Sequence, residues 1–240
     1  MEPQENETIH IEREAPPQTR WSGLGTRTTS AIVLIAIVFF ALLCGGFVFT
    51  LLVMVACLIM MKEWNSLTEG DDASWRIGGM FYVTVPCASL IWLRGVTISD
   101  APNAGINMVI FLMLCVWATD IGAYFTGRKI GGKKLAPTIS PGKTWAGLFG
   151  GMVAAGITGG ICHSFSPFPP TLLSSIVIGM MLAVISQGGD LFESWLKRRA
   201  GVKDSGTLIP GHGGLLDRID GMVTATPIFA LVAYMFGVIA

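Results

Sequence analysis

Residues 31–61 read AIVLIAIVFFALLCGGFVFTLLVMVACLIMM, 31 positions without a charged side chain. A spanning helix takes about 20 apolar residues, within a range of about 17–25. This run is long for one helix and short for two. Gly45-Gly46 lies at its middle, where a tight turn would fold it into a helical hairpin. Lysine and arginine placement decides between the two. With a hairpin, the N-terminus and the loops at 62–76, 126–144 and 190–221 share one face. Those segments hold 15 of the 16 Lys and Arg residues, and only Arg94 lies outside them. With one helix, Arg13, Arg20 and Arg27 change sides and the split becomes 12 to 4. The hairpin is favoured, and the positive face is the cytoplasmic one.

Working outward, apolar segments at 30–44, 46–61, 77–93, 104–125, 145–163, 171–189 and 222–240 give an expected fold. It is an all-α integral membrane protein, a polytopic bundle of about seven transmembrane helices with the N-terminus cytoplasmic. Composition agrees: 52% of residues are hydrophobic and 13% charged, about half the charged share of soluble proteins. Residues 1–29 read as a disordered cytoplasmic tail, with five glutamates and three prolines in the first 20 positions. Residues 30–240 read as a single transmembrane catalytic domain. The small-residue stretch AAGITGG (154–160) would let helices approach closely. Net charge is zero, which implies no nucleic-acid partner. Cys44, Cys57, Cys87, Cys115 and Cys162 lie scattered in apolar stretches and read as small buried hydrophobes.

Against this background one stretch stands out. Residues 194–220 read SWLKRRAGVKDSGTLIPGHGGLLDRID. No Asp, Glu, Lys or Arg occurs from Thr144 to Gly189, and none follows Asp220. A dense island of both charge signs between membrane-length apolar segments is a functional site by default. If 187–199 is helical, Asp190, Glu193, Ser194 and Lys197 share a face. If the chain is also helical at 217–220, Asp217 and Asp220 share one. Carboxylates suit Mg²⁺, which takes one or two of them plus substrate phosphates. A triphosphate also needs lysine and arginine to offset its charge. The bland alternative is a set of interfacial ion pairs obeying the positive-inside rule.

The spacing resembles the phosphatidate cytidylyltransferase (CDP-diacylglycerol synthase) family. That pattern runs Ser, two residues, Lys-Arg, four residues, Lys-Asp. A Gly- and Pro-containing stretch follows, then His-Gly-Gly, a hydrophobe, one residue, Asp-Arg, a hydrophobe and Asp. Each fixed position is filled here. A second block, DIGAYFTGRKIGGKKLAPTISPGKTW (120–145), is similar to the family's as well. It departs at Gly142, where the family commonly has Lys, and at Ala146, where it has Glu. Lys143 and Ser140 fit.

The resemblance implies transfer of CMP from CTP to phosphatidic acid, giving CDP-diacylglycerol and pyrophosphate, at the cytoplasmic side of the inner membrane. It implies that Asp190 and Asp217 bind Mg²⁺, one ion or two. Lys197, Lys203 and Arg218 would hold phosphates together with Arg198, and Asp204 and Asp220 would orient those bases or complete the metal shell. Asp120, Arg128, Ser140, Lys143, Ser194, His212, Gly213 and Gly214 would bind substrate. His212 reads equally as a turn residue without a chemical role. A homodimer would close a site otherwise open to lipid.

Two look-alikes fail. Gly127–Lys134 and Pro137–Thr144 each miss one fixed position of a phosphate-binding P-loop, and neither follows a strand. Asp217–Gly221 starts like the CDP-alcohol phosphotransferase pattern but lacks its Ala-Arg and its later aspartates. The alternatives kept are a CTP-dependent polyprenol or phytol kinase and an ion-coupled transporter, although the inverted repeats a transporter predicts are not seen.

Overall fold

The computed structural model describes residues 24–166, 168–208 and 213–238. Most of the expected tail lies outside this range, as does His212. The apolar run at 31–61 is two helices, α1 (Leu24–Cys44) and α2 (Gly46–Leu67). Between them Gly45 has φ 61° and Gly46 φ 48°, the left-handed region that a Cβ disfavours. Space is a second reason for glycine: a Cβ on Gly45 would sit 2.2 Å from Nη2 of Arg94. The Arg94 guanidinium donates from Nε to Leu42 O at 2.8 Å, satisfying a carbonyl at the end of α1. The basic residue outside the charged loops thus braces the hairpin turn.

Five more helices follow: α3 (Ala73–Gly95), α4 (Ala104–Ile130), α5 (Trp145–Cys162), α6 (Leu172–Arg199) and α7 (Leu216–Met235). The helical bundle is as expected, with one short hairpin added in a connection. Between α4 and α5 stands an antiparallel hairpin of β1 (Lys134–Ala136) and β2 (Ser140–Thr144), with Lys134 opposite Thr144 and Ala136 opposite Ser140. Pro137–Thr144 therefore does follow a strand, contrary to the sequence reading, but it forms the turn and return strand of a hairpin rather than a loop into a helix. Gly131 and Gly132, both at positive φ, stop α4, and Pro137 and Pro141 prevent helix from resuming. Thr144 then caps α5 by accepting from Gly147 N at 3.0 Å. At the start of α6, Thr171 and Ser174 form a reciprocal capping box.

The α5–α6 contact is backbone to backbone. A Cβ on Gly159 would lie 2.3 Å from Ser175 O, and one on Gly179 would lie 2.4 Å from Ala155 O. The 154–160 stretch does allow the close approach expected of it. Phe111 of α4 stacks on Phe229 of α7 with centroids 5.4 Å apart, joining the two in the core. Outward, Ile32, Phe40, Leu58 and Leu173 are each more than 60% exposed. An apolar exterior of this extent suits hydrocarbon. By length and composition α2 to α6 can each cross a membrane, and α1 carries a shorter apolar piece, Thr28–Cys44. The molecule is a helical membrane bundle.

Polar contacts sort its two ends. At one end Asp71 pairs with Arg199 at 2.6 Å and Lys143 with Asp190 at 2.6 Å. At the other, Asn107 Nδ2 donates to Phe165 O at 2.7 Å. Helix α6 does not stop at Gly189 but continues to Arg199, carrying three basic residues in its last turn where the helix dipole favours them.

Candidate active site

Because α6 continues, Asp190, Glu193, Ser194 and Lys197 do fall on one helical face. That face meets two partners. The β-hairpin delivers Lys143, and the start of α7 delivers Asp217 and Asp220.

The first centre forms around Asp190. Lys143 Nζ lies 2.6 Å from its Oδ2, and Ser194 Oγ donates to Oδ1 at 3.3 Å. Lys143 also reaches Gln187 O at 3.3 Å. Gln187 in turn donates from Nε2 to Asp120 Oδ1 at 3.5 Å. Asp220 lies within electrostatic reach of Asp190, Asp120 and Lys143, and of Glu193 as well. Its Oδ1 accepts from Gly221 N at 2.7 Å. Three acids from three helices face one lysine, so the centre carries excess negative charge and attracts cations.

The second centre forms around Asp217, whose side chain is only 4% exposed. Lys197 Nζ lies 2.6 Å from Oδ1 and 3.0 Å from Glu193 Oε1. Oδ2 accepts from Ser205 N at 2.8 Å, Ser205 Oγ at 3.0 Å and Gly214 N at 2.9 Å. Gly213 is at φ 85°, and a Cβ there would meet Asp217 Oδ2 at 2.9 Å. The glycine pair therefore lets the loop close onto this carboxylate.

Asp217 and Asp220 have different hydrogen-bond partners, although both face Glu193. Ile219 between them departs from helical geometry at φ −128°, ψ 15°. A regular turn would put both acids on one face, as the sequence spacing suggests, and the kink interrupts that turn.

The other expected site residues are less enclosed. Arg128 donates to the Tyr124 hydroxyl at 2.8 Å and not to Asp120. Arg198 reaches Val202 O at 3.3 Å. Lys203, Asp204 and Arg218 are exposed, and none forms an ion pair among the described residues. Ser140 is half-buried in β2. Sequence reading passed over Gln187 and Glu63, which lie outside the charged stretch, and Ser205, which lies within it but is uncharged. Glu63 reads as one interfacial acid at the end of an apolar helix, yet it is 7% exposed and accepts from Leu216 N at 2.8 Å.

The donor set can be tested against a divalent cation. Among the described residues no three His, Cys, Asp or Glu side chains form a ready-made cage. Mg²⁺ does not require one, because it takes one or two carboxylates and completes its shell with water and phosphate oxygens. Asp190 offers Oδ1, held by one long bond from Ser194, and Oδ2, whose partner is the Lys143 ammonium. Asp217 offers Oδ1, whose partner is an ammonium. The residues fit an ion shared with substrate phosphates.

A model of the cytidylyltransferase family matches residues 70–236. A protein of Brucella melitensis named phosphatidate cytidylyltransferase is 44% identical over 199 residues, spanning 83% of this chain and 67% of its own length. One of the same name from Rickettsia prowazekii is 35% identical over 210 residues, spanning 85% of this chain and 89% of its own. Another, from Pseudomonas aeruginosa, is 34% identical over 212 residues, spanning 87% and 76%. The chain belongs to the cytidylyltransferase family.

Proposed function

We propose that this family member is a phosphatidate cytidylyltransferase, which moves CMP from CTP to phosphatidic acid and so serves phospholipid biosynthesis. The observation that carries the reading is the Lys143–Asp190 pair at 2.6 Å, which joins two charged blocks far apart in sequence. The names of the relatives supply the substrate, and the site supplies the charge pattern an anionic lipid and a triphosphate need.

A phosphate oxygen of phosphatidic acid attacks the α-phosphorus of CTP. A new P–O bond forms as the α–β bridge bond breaks, and pyrophosphate leaves. The attacking phosphate monoester has a second pKa of about 6, so it is anionic at neutral pH and needs no general base. The protein's work is therefore positioning and charge stabilisation. Lys143 and Lys197, each now facing a carboxylate, would take phosphate oxygens when substrate arrives. Arg198, Lys203 and Arg218 extend that positive surface, with Asp204 among them, and Arg128 and Ser140 flank the hairpin side. Ser194 holds Asp190 in orientation. Asp190 and Asp217, with Asp220 beside the former, would hold Mg²⁺, whose charge offsets that of the triphosphate and the leaving pyrophosphate. The surplus of acids around Asp120 leaves room for a second cation.

An apolar groove of about 700 Å³ between α3, α6 and α7 reaches Gly189 and Thr224, next to Asp190 and Asp220. Acyl chains would lie there with the head group at the acids. Seven spans, with the N-terminus and the charged end cytoplasmic at the inner membrane, put CTP and lipid on the same side. A homodimer would cover the open lipid-facing flank, and cross-linking in native membranes would reveal it. For sidedness, cysteines at exposed Thr207 and Ser164 in a cysteine-free background should label from opposite faces. Labelling of both from one face would overturn this topology.

The reaction is tested with purified protein, phosphatidic acid, Mg²⁺ and CTP labelled at either phosphate. Label from the α-phosphate should enter a chloroform-soluble lipid, and label from the γ-phosphate should not. Transfer of the γ-label would replace this reading with a lipid kinase.

A further inference from the structure

We infer that Glu63, on α2 and outside the stretch matched by the family model, is a positioning residue for the transfer reaction: it holds the start of α7 in place and, with it, Asp217 and Asp220. The inference rests on the cytidylyl-transfer reading for its kinetic part and on geometry alone for its structural part.

Helix α7 starts without a cap of its own. Its N-cap residue is Leu215, which has no side-chain acceptor. Unpaired first-turn N–H groups are costly when buried. Glu63 supplies the missing acceptors from another helix. Its Oε1 accepts from Leu215 N at 2.8 Å and its Oε2 from Leu216 N at 2.8 Å. Among the described residues no cation lies within ion-pairing distance of this buried carboxylate. What faces its charge is the positive end of the α7 dipole.

The loop before α7 is shaped to the same group. A Cβ on Gly214 would sit 2.8 Å from Glu63 Cδ, and one on Gly206 would sit 3.1 Å from Oε1. Ser205 Oγ stands between Glu63 Oε2, at 3.2 Å, and Asp217 Oδ2, at 3.0 Å. A serine has one hydroxyl hydrogen, so it bonds one carboxylate at a time and couples their positions. Glu63 thus grips α7 at its first amides and touches Asp217 through Ser205. Glutamine is a poor substitute, because its NH₂ group would turn one acceptor into a donor facing another donor.

The test uses the full chain purified in detergent, with hydrogen–deuterium exchange and kinetics measured on the same samples. In Glu63→Gln, exchange at the amides of Leu215 and Leu216 should speed up while α4 and α5 stay protected. The kcat should fall about tenfold or more, as for a small misplacement of reacting groups. The Mg²⁺ concentration for half-maximal rate should rise. Glu63→Asp keeps the charge on a shorter arm, so it should show a smaller version of each change. If Glu63→Gln does not fold, Glu63→Asp carries the test by the same criteria. Unchanged exchange at Leu215 and Leu216 overturns the inference. So does faster exchange with kcat and Mg²⁺ dependence unchanged. A wild-type protein that makes no CDP-lipid sinks the functional reading instead, and exchange still decides whether Glu63 holds α7.

Discussion

Two carboxylate–lysine pairs of equal length, 2.6 Å, stand at the same end of the bundle in very different surroundings. Asp190 is 30% exposed and, apart from Lys143, has one long hydrogen bond from Ser194. Asp217 is 4% exposed and receives three further donors from the loop before α7. The first pair has fewer other bonds to break if its lysine is to pass to a phosphate and its carboxylate to a cation. The second is a brace in which Oδ2 takes the loop donors and Oδ1 takes Lys197. A loosely satisfied acid suits chemistry, and a fully bonded one suits placement.

The largest expected effect breaks the first pair. Asp190→Asn removes charge with little change in shape. Its kcat should fall about 10²-fold or more, a loss of a few kcal/mol of charge stabilisation. Its melting temperature should stay near wild type, because few bonds depend on the charge. Near-normal turnover in a folded Asp190→Asn protein would move the reactive centre elsewhere.

Asp217→Asn should lose both activity and stability. An amide cannot serve all four donors, and the unmet groups cost about 1–3 kcal/mol. A thermal melt beside a rate assay separates the two mutants. If Asp217→Asn melts like wild type, the brace description fails. Lys197→Met should raise the KM for an anionic substrate, and added Mg²⁺ should not restore it, since the lost group is a cation and not a ligand.

The smallest effect on catalysis is expected at the opposite end. Gly45→Ala places a Cβ where the Arg94 guanidinium lies. The overpacking should lower the melting temperature, by a cost of about 1–3 kcal/mol. The KM and the Mg²⁺ requirement should not change, because Gly45 sits at the far turn from the charged loops.

The sequence made legible what depends on local pattern. Gly45-Gly46 broke an overlong apolar run, basic residues marked one end of the bundle, and three- and four-residue spacing placed Asp190, Ser194 and Lys197 on one face. What escaped depends on distant partners or on backbone irregularity. Glu63 gains its role only from amides more than 150 residues away. The kink at Ile219 lies between Asp217 and Asp220 and has no proline or glycine at that position to announce it. The β-hairpin is too short for its alternation to show, though it is what brings Lys143 to Asp190.

That meeting is the central claim: the hairpin and α6 form one reactive centre. A double-mutant cycle on kcat/KM with Lys143→Met and Asp190→Asn measures it. Groups in contact should couple, with an interaction energy of at least about 1 kcal/mol, so the double mutant should be less impaired than the two effects multiplied. Single effects that simply multiply would mean that the two residues act independently, and would contradict a shared centre.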